Sequence, residues 1–238
     1  MPILPIEKRG YAYPELLIDT TWLYNHISDE DLRVIDARST EQYAESHLPG
    51  SVNLSGFGGI PRTASGDMAD PREFEQIAGS LGITNDMKVV VYDAPGPMMG
   101  TVAWAFMYYG HKQTQILDGG LSKWVSEGKP LSQDIPDYAL SEFTASRNQG
   151  VYCSLEDAKC SINDSSSVFW DTRSIEEYQG ARPVTGTTDM RLGRIPGAIH
   201  LEWTELFEQE TKTLKSAGEL RHLLESRGIK PEYEVNTY

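Results

Sequence analysis

The sequence predicts an α/β fold laid down twice. The expected fold is two tandem domains, each a mainly parallel sheet with helices on both faces, the second incomplete. Three observations carry this expectation. Strand-like apolar runs alternate with helical patterns, as crossover-connected parallel strands require. A twelve-residue block recurs, and two further blocks follow it in the same order. The second series of blocks stops where the first continues through residues 94–130.

The first repeat opens with a short helix over 21–27, which leads into a strand at 33–36. Arg33-Val-Ile-Asp36 has the bulky, β-branched character of a buried strand. A Pro-Gly turn and a short strand at 51–54 follow. Residues 71–81 set Phe74, Ile77, Ala78 and Leu81 on one helical face, and Gly82 is placed to end that helix. Lys88-Val-Val-Val-Tyr92 is nearly all apolar, as a central parallel strand covered on both faces should be. A helix over 100–109 and a strand over 114–117 complete the repeat.

The duplication is explicit at the level of residues. Asp36, Arg38, Ser39, Glu41 and Tyr43 return as Asp171, Arg173, Ser174, Glu176 and Tyr178. His47-Leu-Pro-Gly-Ser-Val-Asn-Leu54 returns as Arg194-Ile-Pro-Gly-Ala-Ile-His-Leu201. Val89, Val91 and Tyr92 return as Val235, Thr237 and Tyr238. Between Tyr178 and Pro196 the second copy gains a Gly- and Thr-rich stretch without periodicity, which reads as a surface loop. The expected organisation is therefore a first domain over 1–134, an exposed linker over 135–150 and a second domain over 151–238. Contact between the two domains is also expected.

Charge and cysteine usage narrow the function. Lys and Arg total 21 against 35 Asp and Glu, a net charge of −14. Phosphate backbones and acidic membranes are recognised by clustered basic residues, so neither nucleic acid nor a membrane is an expected partner. A small anion remains possible where a local basic pocket overrides the global field. The first ten residues place their basic pair after an apolar stretch that two prolines interrupt, unlike a signal peptide, so the chain reads as cytoplasmic. Cys153 and Cys160 form no disulfide framework and no common zinc spacing. On one helix they would sit about 10 Å apart along its axis, too far to bridge. They read as buried, structural thiols. No metal or nucleotide motif occurs, and no cofactor is expected.

Ligand crevices in parallel sheets lie beyond the C-terminal strand ends, which draws attention to Asp36, Asp171 and the segments after Tyr92 and Tyr238. At these places the chain resembles the rhodanese family, the tandem-domain sulfurtransferases. The resemblance is carried by Asp-Ala-Arg-Ser at 36–39, Asp-Thr-Arg-Ser at 171–174 and the two Pro-Gly turns. Val-Val-Val-Tyr-Asp at 89–93 and Ile-Leu-Asp-Gly-Gly-Leu-Ser-Lys-Trp at 116–124 extend it. It implies a thiosulfate sulfurtransferase that carries sulfur as a cysteine persulfide, from a small anionic donor to a thiol or cyanide. The family's nucleophilic cysteine follows the central strand of the second domain. In the first copy that position is Asp93, which makes the first domain non-catalytic. In the second it would follow Tyr238, so the chain reads as a fragment, or as one interrupted at a modified cysteine, and inactive by itself.

The resemblance also suggests substrate-binding roles for Arg173, Arg191 and Arg194, with Asp171 as structural support. An Asp–Arg structural pair is the competing reading for Asp171 and Arg173, because the first copy keeps Asp36 and Arg38 without a cysteine. In the inserted loop Arg182, Arg191 and Arg194 stand against Asp189 alone, either as an anion-steering rim or as an ordinary solvated loop. His47 and His200 read as packing or turn residues, and Trp124 and Trp203 as core or interdomain packing. Members acting on 3-mercaptopyruvate commonly carry a second arginine where this chain has Glu177, which favours a thiosulfate-type donor. A non-catalytic binding or regulatory module and a 3-mercaptopyruvate sulfurtransferase are the alternatives.

Overall fold

The run Lys88–Tyr92 forms the middle of a five-stranded, wholly parallel sheet, and its burial follows the two-residue period of a strand. Val89 and Val91 enter one core; Val90 and Tyr92 enter the other. The computed structural model describes residues 4–64, 66–94, 96–184 and 191–238. It divides into two units.

The first unit comprises the stretch up to Lys8, Ala12–Tyr152 and Gln209–Thr213. Its elements run β1 (Leu17–Ile18), α1 (Thr20–His26), β2 (Leu32–Asp36), α2 (Thr40–Glu45), β3 (Val52–Asn53) and α3 (Pro71–Ser80). They continue with β4 (Lys88–Tyr92), α4 (Met98–Tyr108), β5 (Thr114–Leu117) and α5 (Gly120–Ser126). The sheet order is β1-β5-β4-β2-β3. One face is covered by α3 and α4 through Phe74, Ala78, Val102 and Phe106. The other is covered by α1 and α5 through Leu23 and the fully buried Trp124. Local chemistry sets the helix boundaries. Asp19 accepts the N–H groups of Thr21 and Trp22, Asp70 accepts that of Arg72, and Pro71 occupies the first turn of α3. The predicted helix, turn and strand order of this repeat is therefore observed, with ends shifted by a residue or two.

The second unit comprises Arg9–Tyr11, Cys153–Glu208 and Leu214–Tyr238. It contains α6 (Leu155–Ser161), β6 (Ser167–Asp171), α7 (Ile175–Gln179), β7 (Ile199–His200), α8 (Ala217–Ser226) and β8 (Glu234–Thr237). Its parallel sheet has the order β7-β6-β8. The duplication is retained in detail. Ser39 with Gln42 and Ser174 with Glu177 close equivalent capping boxes on α2 and α7. Gly50 and Gly197 adopt the same positive φ, +70° and +78°, in the two Pro-Gly turns, a conformation that favours glycine. Among the described residues β8 pairs only with β6, whereas its counterpart β4 pairs with both β2 and β5. Neither α6 nor α8 contains a fully buried residue.

Two segments lie differently from the expected division. Residues 135–150, read as an exposed linker, form a strap laid along the first unit. Phe143 enters the aromatic core beside Phe74 and Phe106. Tyr138 donates to the Gly50 carbonyl and carries the Arg33 guanidinium 3.2 Å from its ring centre. The Ser141 N–H reaches Gly79 O, and the Ser146 and Asn148 N–H groups reach Tyr109 O and Tyr108 O. Its apolar residues, Ile135, Leu140 and Phe143 among them, follow neither a helical nor a strand period, so the strap leaves no signal in sequence pattern. The second departure is Arg9–Tyr11, which belongs to the second unit rather than the first. The Arg9 carbonyl accepts Ala217 N–H at the start of α8, and Tyr11 donates to the carbonyls of Leu214 and Lys215.

Replacing Phe143 by alanine should therefore cost about 3–5 kcal/mol, the range for emptying a buried aromatic site. Leu140→Ala on the exposed side of the same strap should change stability by less than about 0.5 kcal/mol. Urea unfolding followed by tryptophan fluorescence checks both; equal effects would show the strap to be a loose linker.

Candidate functional site

β2 and β6 each end in an aspartate, and two residues later an arginine turns back onto it. Asp36 is fully buried and accepts from the Arg38 N–H, from Nε at 2.9 Å and from Nη2 at 2.5 Å. The Tyr92 hydroxyl, at the end of β4, donates to the same carboxylate at 2.6 Å. That hydroxyl also accepts the Leu48 N–H of the Pro-Gly turn. One buried carboxylate thus joins two strand ends and the turn between β2 and β3.

The second unit repeats the arrangement. Asp171 is fully buried and accepts from the Arg173 N–H, Nε at 2.9 Å and Nη2 at 2.5 Å. The Tyr238 hydroxyl lies near Asp171 and helps hold that carboxylate ionised, and it accepts the Ile195 N–H at 3.0 Å. The Thr172 N–H donates to the Tyr238 carbonyl at 3.1 Å. Burial opposes ionisation of Asp171, but the Arg173 bonds outweigh it and hold its carboxyl below the usual range. Burial raises the phenols of Tyr92 and Tyr238, so both stay protonated and able to donate.

This geometry assigns Arg173 a structural engagement. Its Nε and Nη2 are directed at Asp171, and Nη2 also donates to Gly193 O at 2.9 Å. Arg194 lies over the Tyr178 ring, 4.4 Å from its centre, and donates to Tyr178 O. Arg182 donates to Ser174 Oγ, and Arg191 is exposed. Asp189 lies outside the described residues. The expected four-residue set is therefore not one cluster of anion donors: Asp171 and Arg173 form a buried pair, while Arg191 and Arg194 stand on the exposed loop. Glu177, read from the sequence as a missing second arginine, caps α7 by accepting from the Ser174 N–H and hydroxyl. His200 reaches the Arg173 carbonyl, as Asn53 reaches that of Arg38. Trp124 is fully buried, and Trp203 is half-buried against Phe207.

Directly after Tyr92, Asp93 turns into its own loop. It is buried, Oδ2 accepts the Met98 N–H at the start of α4, and its carbonyl accepts the Leu121 N–H. The loop closes so tightly on this carboxylate that a Cβ on Gly96 would stand 2.5 Å from Oδ2. Burial raises the Asp93 carboxyl to about 6 against the pull of the Met98 N–H, and Asp36 adds to the rise. Cys153 and Cys160 are exposed, not buried as expected. Cys153 precedes the Ser154 cap and Cys160 lies in α6, so they share no helix. Burial of its sulfur, then Asp157 and Glu234, raise the Cys153 thiol, the opposite of what activates a nucleophile. Among the described residues no group of three or more His, Cys, Asp or Glu side chains converges for a metal. No helix among them is long and apolar enough to cross a membrane.

The tyrosine hydroxyls are what sequence reasoning missed. Their recurrence at 92 and 238 was the available signal.

A parallel α/β unit built twice, each copy closing its strand ends with an Asp-x-Arg pair and a tyrosine, defines a duplicated sheet-edge site. The chain belongs to the rhodanese family. A Rhodanese-like domain profile matches residues 19–127. The sulfur carrier protein TtuD of Thermus thermophilus is 31% identical, over 96% of this chain and 84% of that protein. The thiosulfate sulfurtransferase of Azotobacter vinelandii is 29% identical, over 96% and 83%. The crystal structure of SseA from Escherichia coli, described as a 3-mercaptopyruvate sulfotransferase, superposes with a TM-score of 0.81 over 93% of this chain and 87% of that one. At 23% identity that likeness speaks for the fold.

The raised Asp93 carboxyl gives a pH-dependent expectation. Its charged form is disfavoured in the fold, so the cost is present above about pH 6 and is relieved as pH falls toward 4. Asp93→Asn should stabilise the first unit by about 1–3 kcal/mol at pH 8, with the gain vanishing near pH 4. Urea midpoints at the two pH values test this, and an equal gain at both would refute a charge origin.

Proposed function

We propose that this chain belongs to a thiosulfate-type sulfurtransferase whose nucleophile is a cysteine placed directly after Tyr238. The observation that carries the reading is the repeated strand-end network. Arg173 grips Asp171 as Arg38 grips Asp36, and the Tyr238 hydroxyl lies near Asp171 and accepts the turn's Ile195 N–H as the Tyr92 hydroxyl accepts that of Leu48. The residue after Tyr92 is buried and held by an N–H at the start of a helix. The corresponding place after Tyr238 would give a thiolate the same kind of support, which favours the anion. Asp93 cannot form a persulfide, so the first unit has a structural part in this reading.

The chemistry is two displacements at sulfur. The thiolate attacks the outer sulfur of thiosulfate, forming the cysteine S–S bond. The donor's S–S bond breaks, and sulfite leaves with the electron pair. A cyanide or thiolate acceptor then attacks the outer persulfide sulfur and returns the cysteine as thiolate. No general base is needed. Asp171 and Arg173 position the loop, and Arg191 on the exposed loop steers the anionic donor. Glu177 is engaged in capping α7, so that position offers no grip for a pyruvate carboxylate. A second reading, sulfur carriage to a protein thiol, is favoured by the likeness to the Thermus sulfur carrier protein.

The decisive experiment uses the polypeptide extended beyond Tyr238. With cysteine at position 239, thiosulfate should add about 32 Da to the intact mass, and cyanide should remove it as thiocyanate. Any other residue at 239 overturns the assignment. Residues 1–238 alone should show no turnover; activity lost on C153S or C160S would place the nucleophile there instead.

A further inference from the structure

The two units differ at one equivalent position just past the strand ends, residue 56 in the first and residue 203 in the second. The strand before it has the same register in both: Asp36 pairs with Asn53, and Asp171 pairs with His200. The Leu54 and Gly56 N–H groups donate to Asp36 O and Ala37 O, each at 3.0 Å. Those of Leu201 and Trp203 donate to Asp171 O at 3.1 Å and to Thr172 O at 3.0 Å. The chain also leaves the central strand alike, since Tyr92 O accepts the Ala37 N–H and Tyr238 O accepts that of Thr172. Gly56 and Trp203 therefore occupy the same backbone place.

In the first unit that place holds glycine for a steric reason. A Cβ on Gly56 would stand 2.7 Å from Met98 Cβ, 2.8 Å from Met98 O and 3.0 Å from Met98 Cα. Carbon atoms pack at about 3.5–4.0 Å, and two of those three atoms are backbone. No side chain fits at 56 while α4 begins where it does. That seating also shuts the loop between β4 and α4. Met98 donates its N–H to Asp93 Oδ2 at 3.1 Å, and Asp93 is only 5% exposed.

We infer that this position sets how far the loop after the central strand can close, and that Trp203 holds the second unit's loop open. The inference rests on the reading that the nucleophile follows Tyr238. Equivalent backbone directs the Trp203 Cβ toward the place that Met98 takes in the first unit. The Cβ alone forbids that seating, whatever the rotamer of the indole, which meets Phe207 edge to face at 5.9 Å. A helix start facing Trp203 must stand off, so the residue after Tyr238 stays within reach of a small anionic donor. Trp203 is thus a positioning residue for access to the nucleophile. Gly56 is what lets the first unit seal the same place around Asp93.

One measurement in each unit tests this. In the 238-residue chain, Gly56→Ala adds only the Cβ. The Met98 amide should then lose about tenfold in hydrogen-exchange protection, with the Leu201 amide unchanged. The second measurement uses the polypeptide extended beyond Tyr238, carrying cysteine at 239 naturally or by substitution, and reads the rate of thiol alkylation by iodoacetamide. Trp203→Gly should slow it about tenfold, because a sealed loop reacts only when it opens. Trp203→Ala removes the same indole but keeps the Cβ, so it should slow alkylation by less than about threefold. Loss of indole packing alone would affect both variants alike, and melting temperatures record that loss separately. Unchanged Met98 protection in Gly56→Ala overturns the inference, as does alkylation of Trp203→Gly at or above the rate of Trp203→Ala. The alkylation pair decides alone if Gly56→Ala does not fold. A natural residue other than cysteine at 239 refutes the sulfurtransferase reading and leaves this test in force.

Discussion

The buried carboxylate at the end of the first strand of each repeat is the constraint on which the rest depends. Asp36 and Asp171 are fully removed from solvent, and a lone charge there would be costly. Each is gripped by an arginine two residues on; Asp36 also accepts from the Tyr92 hydroxyl of the neighbouring strand, and the Tyr238 hydroxyl lies near Asp171 and supports its charge. Removing either partner would leave a buried charge without compensation, a change typically worth 3–5 kcal/mol. The pair therefore fixes where β2 and β4, and β6 and β8, end relative to one another. It also fixes the backbone from which the next loop departs, and so couples fold to site.

The two repeats use this frame differently. In the first unit the loop after Tyr92 closes on its own Asp93 carboxylate, with both sheet faces covered by helices and a strap anchored by Phe143. In the second unit, among the described residues, β8 has one strand partner, and neither α6 nor α8 contains a buried residue. The same strand-end chemistry thus persists under very different degrees of packing. The side chains at the two Pro-Gly turns differ in a parallel way, a buried histidine in one copy and an exposed arginine in the other, each over the same tyrosine. Duplication preserved the acceptor geometry while changing the group that meets it.

Much of the architecture was legible because it rests on local and periodic signals. The β4 run, the amphipathic α3, the Pro-Gly turns and the serine caps each involve residues within a few positions of one another. The strap was illegible because Phe143 contributes one apolar side chain without a period. The role of Glu177 was misread as a substrate signal because its partner, Ser174, matters only once α7 begins between them. The buried character expected of the cysteines failed for a similar reason: cysteine is usually buried, but Cys153 just before α6 and Cys160 within it are both exposed.

By itself the sequence determined the duplication, the parallel α/β class, the strand ends where a site belongs and the absence of a cysteine at 93. These follow from residue identity and spacing, which survive without coordinates. Only the tertiary structure decided which donors meet which acceptors: that Arg173 faces Asp171, that Tyr92 and Tyr238 tie strand to turn, and that both nitrogens of His47 meet carbonyls. The tyrosine ties join residues 43 and 44 positions apart, and even the short Asp–Arg pairing takes its direction from where the strands end in register, which no local pattern encodes.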